Sequence, residues 1–180
     1  MAVSGDQALV SRTLAGDLDA YGELIQIYQA SVFNVCFRVL GNRSDAEDLT
    51  QEAFLRAYNN LGSYDSTRPF GPWMRTLAAN LGYNKLNRRE LPRVHLEDER
   101  DFPEKDPIHN PEKALEISQE NQKLYQALWD LPQQYRIAVE LRHFQGLTYQ
   151  EMAQILSLPL NTVRSHLYRG RQKLAELLEE

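Results

Sequence analysis

Polar and basic side chains recur at helical spacing near the carboxyl end of the sequence. If Val163 and Leu167 face the interior of a helix, its opposite face is polar. That face presents Arg164, Ser165, Tyr168 and Arg169. An arginine guanidinium can bond the edge of a guanine in the major groove, while Ser165, Thr162 and the N–H groups at the helix start suit phosphates. The residue types therefore indicate contact with duplex DNA.

A helix-turn-helix pattern would position this polar face. Thr148 and Glu151 predict a capping box at the start of a short helix that ends at Leu156. The residues Ser157-Leu158-Pro159 predict a turn, and a longer helix then runs over about 161–178. An amphipathic helix with a solvated basic face is the alternative interpretation. We favour DNA binding because the cap, the turn and the outward arginines agree in register.

A second basic segment, between Arg68 and Leu91, also contains aromatic residues. It holds five basic residues against one acid, and it contains Phe70, Trp73 and Asn80. Stacking of an aromatic ring on an unpaired base contributes about 1–3 kcal/mol. An asparagine amide can bond the edge of a base that has left the stack. Aromatic rings at helical spacing more often belong to a hydrophobic core, so both interpretations stay open at this point.

The charge of the chain is unevenly distributed. The 180 residues carry a formal net charge of -5, and seven acids against three bases lie between Pro92 and Glu112. Exposed charges are screened beyond roughly 8 Å at physiological salt, so basic patches can bind phosphate on an acidic chain. The single cysteine, Cys36, excludes an internal disulfide and is expected to be a buried, inert thiol. Neither a secretory signal nor a membrane span is visible, so we expect a cytoplasmic protein.

Helical spacing recurs along the chain and strand signals are nearly absent, which predicts an all-α fold. We expect two small helical domains, a helix bundle at 1–91 and a helix-turn-helix domain at 112–180. Residues 92–111 contain four prolines and the acidic excess, which predicts a flexible linker.

Three signals predict helix boundaries in the first domain. Gly41 should end a long helix. Ser44 and Glu47 should form a capping box at the start of the next one. Pro72 should lie in the first turn of the basic helix that runs to about Arg89.

Seven sequence motifs closely resemble those of one protein family. The segments 45–54 (DAEDLTQEAF), 70–74 (FGPWM) and 78–80 (AAN), with the Arg88-Arg89 pair, resemble conserved region two of extracytoplasmic-function sigma factors, which belong to the sigma-70 family. The segments 131–136 (LPQQYR), 146–151 (GLTYQE) and 159–165 (PLNTVRS) resemble their region four. Both sets occur in the family's order, on either side of the acidic linker.

The resemblance implies a transcription initiation subunit that binds core RNA polymerase, directs it to promoters and helps to melt the minus-ten element of a stress or signal regulon. For the clamp helices of the β′ subunit it implies Asp45, Asp48, Gln51, Glu52 and Phe54. For the minus-ten element it implies Ser63, Tyr64, Phe70, Trp73, Arg75, Asn80, Lys85, Arg88 and Arg89. For the minus-thirty-five element it implies Asn161, Thr162, Arg164, Ser165, His166, Tyr168 and Arg169.

The resemblance also implies further partners. Region four would contact the β flap, the linker would enter the RNA exit path, and an anti-sigma factor would hold the protein inactive. No cofactor, metal or membrane insertion is expected.

Two other classes of protein were weighed. An ordinary helix-turn-helix regulator with a helical sensor domain would bind duplex DNA without polymerase, and it would leave Asn80 and the basic helix of the first domain unexplained. An enzyme is disfavoured, because the four histidines show no metal-ligand spacing and no glycine-rich phosphate loop occurs.

Overall fold

The computed structural model describes residues 5–89 and 119–179, and within these ranges the chain is helical without strands. The predicted all-α fold is confirmed. The helices are α1 (Gly5–Leu14), α2 (Leu18–Leu40), α3 (Arg43–Asn59), α4 (Phe70–Arg89), α5 (Gln119–Asp130), α6 (Gln133–Val139), α7 (Tyr149–Leu156) and α8 (Leu160–Glu179). The predicted linker lies outside the described residues, as does the second domain upstream of α5.

In the first domain, helices α1, α3 and α4 pack around the long helix α2. Asp17 caps α2 by accepting a hydrogen bond from the N–H of Ala20 at 3.2 Å. The helix ends at Gly41, as predicted, with a left-handed φ of 81° that favours glycine. A Cβ on Gly82 would lie 2.8 Å from Cγ1 of Val39, so α4 approaches α2 closely at this point.

The predicted capping box of Ser44 and Glu47 is wrong. The N-cap of α3 is Asn42, whose side-chain oxygen accepts a hydrogen bond from the N–H of Asp45 at 2.8 Å. Asparagine caps helices as well as serine does, so the earlier residue starts the helix. Glu47 instead pairs with Arg43 one turn before it, at 2.9 Å.

In the second domain, helices α5, α6 and α7 pack against α8. The predicted capping box at the start of α7 is confirmed. The N–H of Glu151 donates to Oγ1 of Thr148, and the N–H of Thr148 donates to Oε2 of Glu151 at 2.8 Å. The hydrogen bonds from the backbone and side chain of Thr148 lower the pKa of Glu151.

The helix that begins at Gln133 changes its winding part-way. It is α-helical to Val139 and continues as a π-helical turn over Glu140–Phe144. The N–H of Gln145 closes this wider turn on the carbonyl of Glu140 at 3.1 Å, and the Gln145 side chain donates to the Glu140 carboxylate at 2.8 Å. Such turns are rare and frequently lie at functional positions.

The two domains pack against each other. Helices α5 and α6 contact α2, and α6 also contacts α4. The ring of Phe37 on α2 lies 5.0 Å from the ring of Trp129 and 6.2 Å from that of Tyr125 on α5. Buried apolar residues of both domains therefore form one continuous core. None of the helices in the described ranges has the length and apolar character needed to cross a membrane.

Candidate nucleic-acid interface

The turn between α7 and α8 fixes the direction of α8. Ser157 adopts a left-handed φ of 53°, and the N–H of Leu158 bonds the carbonyl of Ala153 at 3.0 Å. On α8, Val163 is fully buried and Leu167 is 1% exposed. These two residues hold α8 against the rest of the domain, so the opposite face of its first three turns points outward, as predicted.

The outer face of α8 is polar and basic. Arg164 and Arg169 are exposed, and Tyr168 is 63% exposed, with its hydroxyl accepting a hydrogen bond from Gln172. Three further predicted residues flank these side chains: exposed Asn161 and half-buried Thr162 and Ser165. The face carries two cations and no acid, which suits a nucleic acid.

His166 is the exception among the predicted residues of α8. Its ring lies 5.7 Å from the ring of Tyr135, and its Nδ1 is buried without a hydrogen-bond partner among the described residues. Burial, and to a lesser degree the charge of Arg169, lowers the pKa of His166. The imidazole packs on Tyr135 of α6.

The aromatic residues around the start of α4 form a cluster of rings. The centroids of Tyr64, Phe70 and Trp73 lie 4.9–5.6 Å apart, and Tyr28 lies 5.4 Å from Phe70. Phe70 is fully buried and Tyr64 is 8% exposed, whereas Trp73 is half-buried and Ser63 is exposed. In this arrangement the rings of Tyr64 and Phe70 pack in the core and support the loop from inside.

Helix α4 carries the remaining predicted residues of this segment. Asn80 is half-buried, and its Oδ1 is buried without a hydrogen-bond partner among the described residues. Lys85 pairs with Asp45 on α3 at 3.1 Å, and Arg88 is exposed. Arg75 donates to the side chain of Gln145 in the second domain at 3.2 Å. Arg89 ends the helix, and its side chain lies outside the described atoms.

Helix α3 presents an exposed face at the spacing i, i+3, i+4 and i+7. Asp48, Gln51 and Glu52 are exposed, and Leu55 extends the same face with 67% of its surface exposed. Phe54 is only 5% exposed and belongs to the core, and its carbonyl accepts a hydrogen bond from the Tyr21 hydroxyl. The outer face of α3 is thus polar with one exposed leucine, and the side chain of Phe54 is not part of it.

Two family models match the chain in the order that the motifs predict. Residues 24–91 match the model of sigma-70 region 2, and residues 121–174 match that of sigma-70 region 4. A full-length relative adds to this match: the chain is 31% identical over 179 residues to the ECF RNA polymerase sigma factor SigW of Bacillus subtilis, covering 95% of each chain. The chain belongs to the sigma-70 family, in its extracytoplasmic-function (ECF) group. Its function is that of a sigma factor, which directs RNA polymerase to promoters.

Other proteins are similar over nearly the same length. The ECF RNA polymerase sigma-E factor of Escherichia coli K12 is 32% identical over 94% of this chain and 92% of its own. A solved structure of the sigma factor RpoE in complex with the anti-sigma factor NepR, from Bartonella quintana, matches with a TM-score of 0.62 at 22% identity. It covers 88% of this sigma factor and 96% of that chain, and supports the same fold.

Membership of the family removes the rival interpretations. Because region 2 accounts for the first domain, the chain is not an ordinary helix-turn-helix regulator with a sensor domain. Members of the family are transcription initiation factors, not catalytic enzymes.

Two residues of this sigma factor, which lie beside the predicted site residues, were not predicted from the sequence. Leu55 was missed although it lies at the correct helical spacing, because an exposed leucine cannot be told from a buried one by residue type. Gln145, the partner of Arg75, was missed because nothing local connects positions 70 residues apart.

Proposed function

We propose that this sigma factor, besides directing polymerase, helps to open the promoter by holding an unstacked base of the minus-ten element against α4. The observation that carries the proposal is the buried, unpartnered Oδ1 of Asn80. A buried oxygen without a hydrogen bond costs about 1–3 kcal/mol, and such groups call for an explanation. An exocyclic amino group of a base would supply the missing donor once the side chain moves outward.

The surroundings of Asn80 support this role. Trp73 lies seven residues before Asn80 on α4. It is half-buried and retains surface on which a base could stack. Arg88 is exposed two turns beyond Asn80, where its charge can hold the phosphates of the same strand. The exposed Ser63 marks the loop that would close over the base. Tyr64 and Phe70 hold that loop in place.

We propose that α8 reads the minus-thirty-five element from the major groove. Arg164 and Arg169 are the base-contacting candidates, since both are exposed on the outer face and both can form bidentate bonds to guanine. Thr162 and Ser165 are less exposed than these arginines, and their hydroxyl groups suit contacts with phosphates. His166 would position the helix by packing on Tyr135.

We propose that the outer face of α3 docks on the β′ clamp helices and that region four contacts the β flap. Asp48, Gln51 and Glu52 would supply the polar contacts, with Leu55 as an apolar anchor. Asp45 is half-buried and forms an ion pair with Lys85. It therefore connects α3 to α4 and would not contact the partner. We also propose that an anti-sigma factor holds this protein inactive. The protein would act in the cytoplasm, where polymerase and chromosome meet.

Permanganate reactivity of thymines near the start site tests promoter opening by holoenzyme that carries Asn80→Ala. Alanine is the best helix former, and the change removes an unpartnered oxygen, so the fold should be as stable as the parent or more so. We expect at least about a tenfold loss of opening on a matched promoter, since each lost 1.4 kcal/mol of base binding is tenfold. A template already mismatched at the minus-ten element should recover part of the loss.

Gln26→Ala is the matched control, because it removes an exposed amide from α2 that has no assigned role. The control should open both templates as the parent does. Equal opening of the matched template by the parent and by Asn80→Ala would contradict base capture. Run-off transcription by the parent with core polymerase tests the wider function.

A further inference from the structure

The α3–α4 loop, residues 60–69, is folded into two tight turns by its own hydrogen bonds. The first is the 3-10 helical turn Leu61–Ser63. In the second, the N–H of Arg68 donates to the carbonyl of Asp65 at 3.0 Å. Oδ1 of Asp65 also accepts bonds from the N–H and the hydroxyl of Thr67, at 3.0 and 2.6 Å. Bonds of this kind shape each turn, but they do not fix where the loop lies relative to the helices.

Helix α1 holds the α3–α4 loop from the side. Nε2 of Gln7 donates to the backbone carbonyl of Ser66 at 2.5 Å, across 59 positions of the sequence. Ser66 lies in the middle of the second turn, and α1 also contacts the first turn. The acceptor is a backbone atom, so the loop is held in place without occupying a side chain that could face a base.

Helix α1 is itself held by Tyr28 on α2. The Tyr28 hydroxyl donates to Oδ2 of Asp6 at 2.5 Å. Burial, and to a lesser degree the bond to Asp6, raises the pKa of Tyr28 to about 12, so the hydroxyl keeps its proton at pH 7. The ring lies 5.4 Å from that of Phe70, and a Cβ on Gly71 would come within 2.6 Å of its Cε1. A residue without a side chain at position 71 therefore lets Tyr28 connect α1 to the start of α4.

We propose that Gln7 and Tyr28 are positioning residues of this sigma factor: through α1 they hold the α3–α4 loop in one conformation, which sets how strictly the identity of a minus-ten base is read. The inference rests on the proposed function, in which this loop closes over the unstacked base. Neither residue touches the base. The loop would do so with its exposed hydroxyl side chains, which can bond base edges: Ser63, Ser66 and Thr67.

An anchored loop discriminates between bases because it does not adjust to the wrong one. Specificity is the difference between the affinities for the correct and the incorrect base. A loop that is ordered before binding favours the base that fits its shape, whereas a loose loop rearranges around either base and narrows the difference. Loss of the anchor should therefore lower discrimination at the minus-ten element alone. Discrimination at the minus-thirty-five element, which α8 would read, should stay the same.

Hydrogen exchange of the full-length protein, followed by mass spectrometry, tests whether α1 anchors the loop. Gln7→Glu keeps the size of the side chain and turns a carboxylate toward the Ser66 carbonyl. Exchange of the loop amides should become about three- to tenfold faster, the range for one lost hydrogen bond. Gln7→Lys keeps a donor at nearly the same reach and should exchange as the parent does. Gln26→Glu, the same change at an exposed position of α2, is the matched control and should also match the parent.

A variant of Tyr28 tests the second anchor. Tyr28→Phe removes the hydroxyl and leaves the ring against Phe70. It should accelerate exchange in the loop as well, but by less than Gln7→Glu does, because Tyr28 acts on the loop only through α1.

Run-off transcription at limiting holoenzyme measures how strictly the promoter is read. The signal from a cognate promoter is divided by that from promoters with one substituted base in the minus-ten or the minus-thirty-five element. Gln7→Glu should lower the minus-ten ratio about three- to tenfold and leave the minus-thirty-five ratio unchanged. Gln7→Lys should give both parental ratios. A general loss of stability would lower transcription from every promoter and would not change the minus-ten ratio alone.

Three results would overturn the proposal. Parental loop exchange in Gln7→Glu would refute the anchoring, and a parental minus-ten ratio in spite of faster exchange would refute the role in reading. An equal fall of both ratios would refute that role as well. Failure of the proposed function gives a different result: Asn80→Ala would open the matched promoter as the parent does, while Gln7→Glu would still loosen the loop and lower the minus-ten ratio.

Discussion

Exposure of single side chains separates those that can reach a nucleic acid from those that support them. On α8, Arg164 and Arg169 project into solvent, while His166 turns toward Tyr135. At the start of α4, by contrast, Phe70 is fully buried. A residue's role in binding thus depends on where its own atoms point, and substitution at exposed positions should affect function without affecting the fold.

Replacement of Arg164 tests the reading face of α8. Each bidentate base contact is worth about 1–3 kcal/mol, so Arg164→Ala should weaken use of a cognate minus-thirty-five element by roughly ten- to a hundredfold. Run-off transcription at limiting holoenzyme measures the loss. Lys173→Ala is the matched control: it removes an exposed cation nine positions later, on the opposite side of the same helix. Parental transcription by Arg164→Ala would show that the proposed face is wrong.

At the scale of the helix, buried and exposed residues are divided between opposite faces. Helix α3 packs one face into the core of region two and leaves the other exposed, because Leu49 and Ala53 alternate with exposed residues at helical spacing. Its outer face is unusual in that an exposed leucine stands among polar side chains. An apolar anchor with a polar surround is typical of a protein–protein contact.

Charge reversal on α3 tests this surface. Asp48→Lys with Glu52→Lys should abolish binding of core polymerase in a pull-down, because two attractive contacts become repulsive, while circular dichroism should show unchanged helical content. Asp19→Lys with Glu23→Lys makes the same charge change at the same spacing on exposed positions of α2. That control should bind core normally. Undiminished binding by the α3 variant would exclude this face as the docking site.

At the scale of the molecule, buried apolar residues of the two domains form one continuous cluster. The ring contact between Phe37 and Trp129 joins them, and the buried pair of Arg38 and Glu140 lies beside it. Removing one partner of such a pair costs about 3–5 kcal/mol because a charge is left buried. The stabilities of the domains are therefore coupled.

Scanning calorimetry measures this coupling. The parent should unfold in one transition, with a calorimetric enthalpy equal to the van't Hoff enthalpy. Glu140→Lys should separate the domains and give two transitions, or one with a calorimetric enthalpy well above the van't Hoff value. Glu47→Lys, which breaks the exposed ion pair with Arg43, is the control and should behave as the parent does. Two transitions in the parent would mean that the domains unfold independently.

The sequence by itself determined the features that depend on neighbouring residues. Helical periodicity gave the all-α fold, Gly41 marked the end of α2, and Thr148 with Glu151 marked the start of α7. The motifs identified the family and the outward face of α8. These signals are local, because caps, turns and amphipathic faces involve residues a few positions apart.

Only the tertiary structure decided which side chains meet across the chain. Asn42, and not Ser44, caps α3 because two candidates lie only two positions apart and the local pattern ranks them equally. Phe54 turned inward because packing, and not residue type, chooses between a core ring and a surface ring. Arg38 and Glu140 are separated by 102 residues, and no periodicity connects positions so distant. Their pairing follows from the way two finished helical domains fit together.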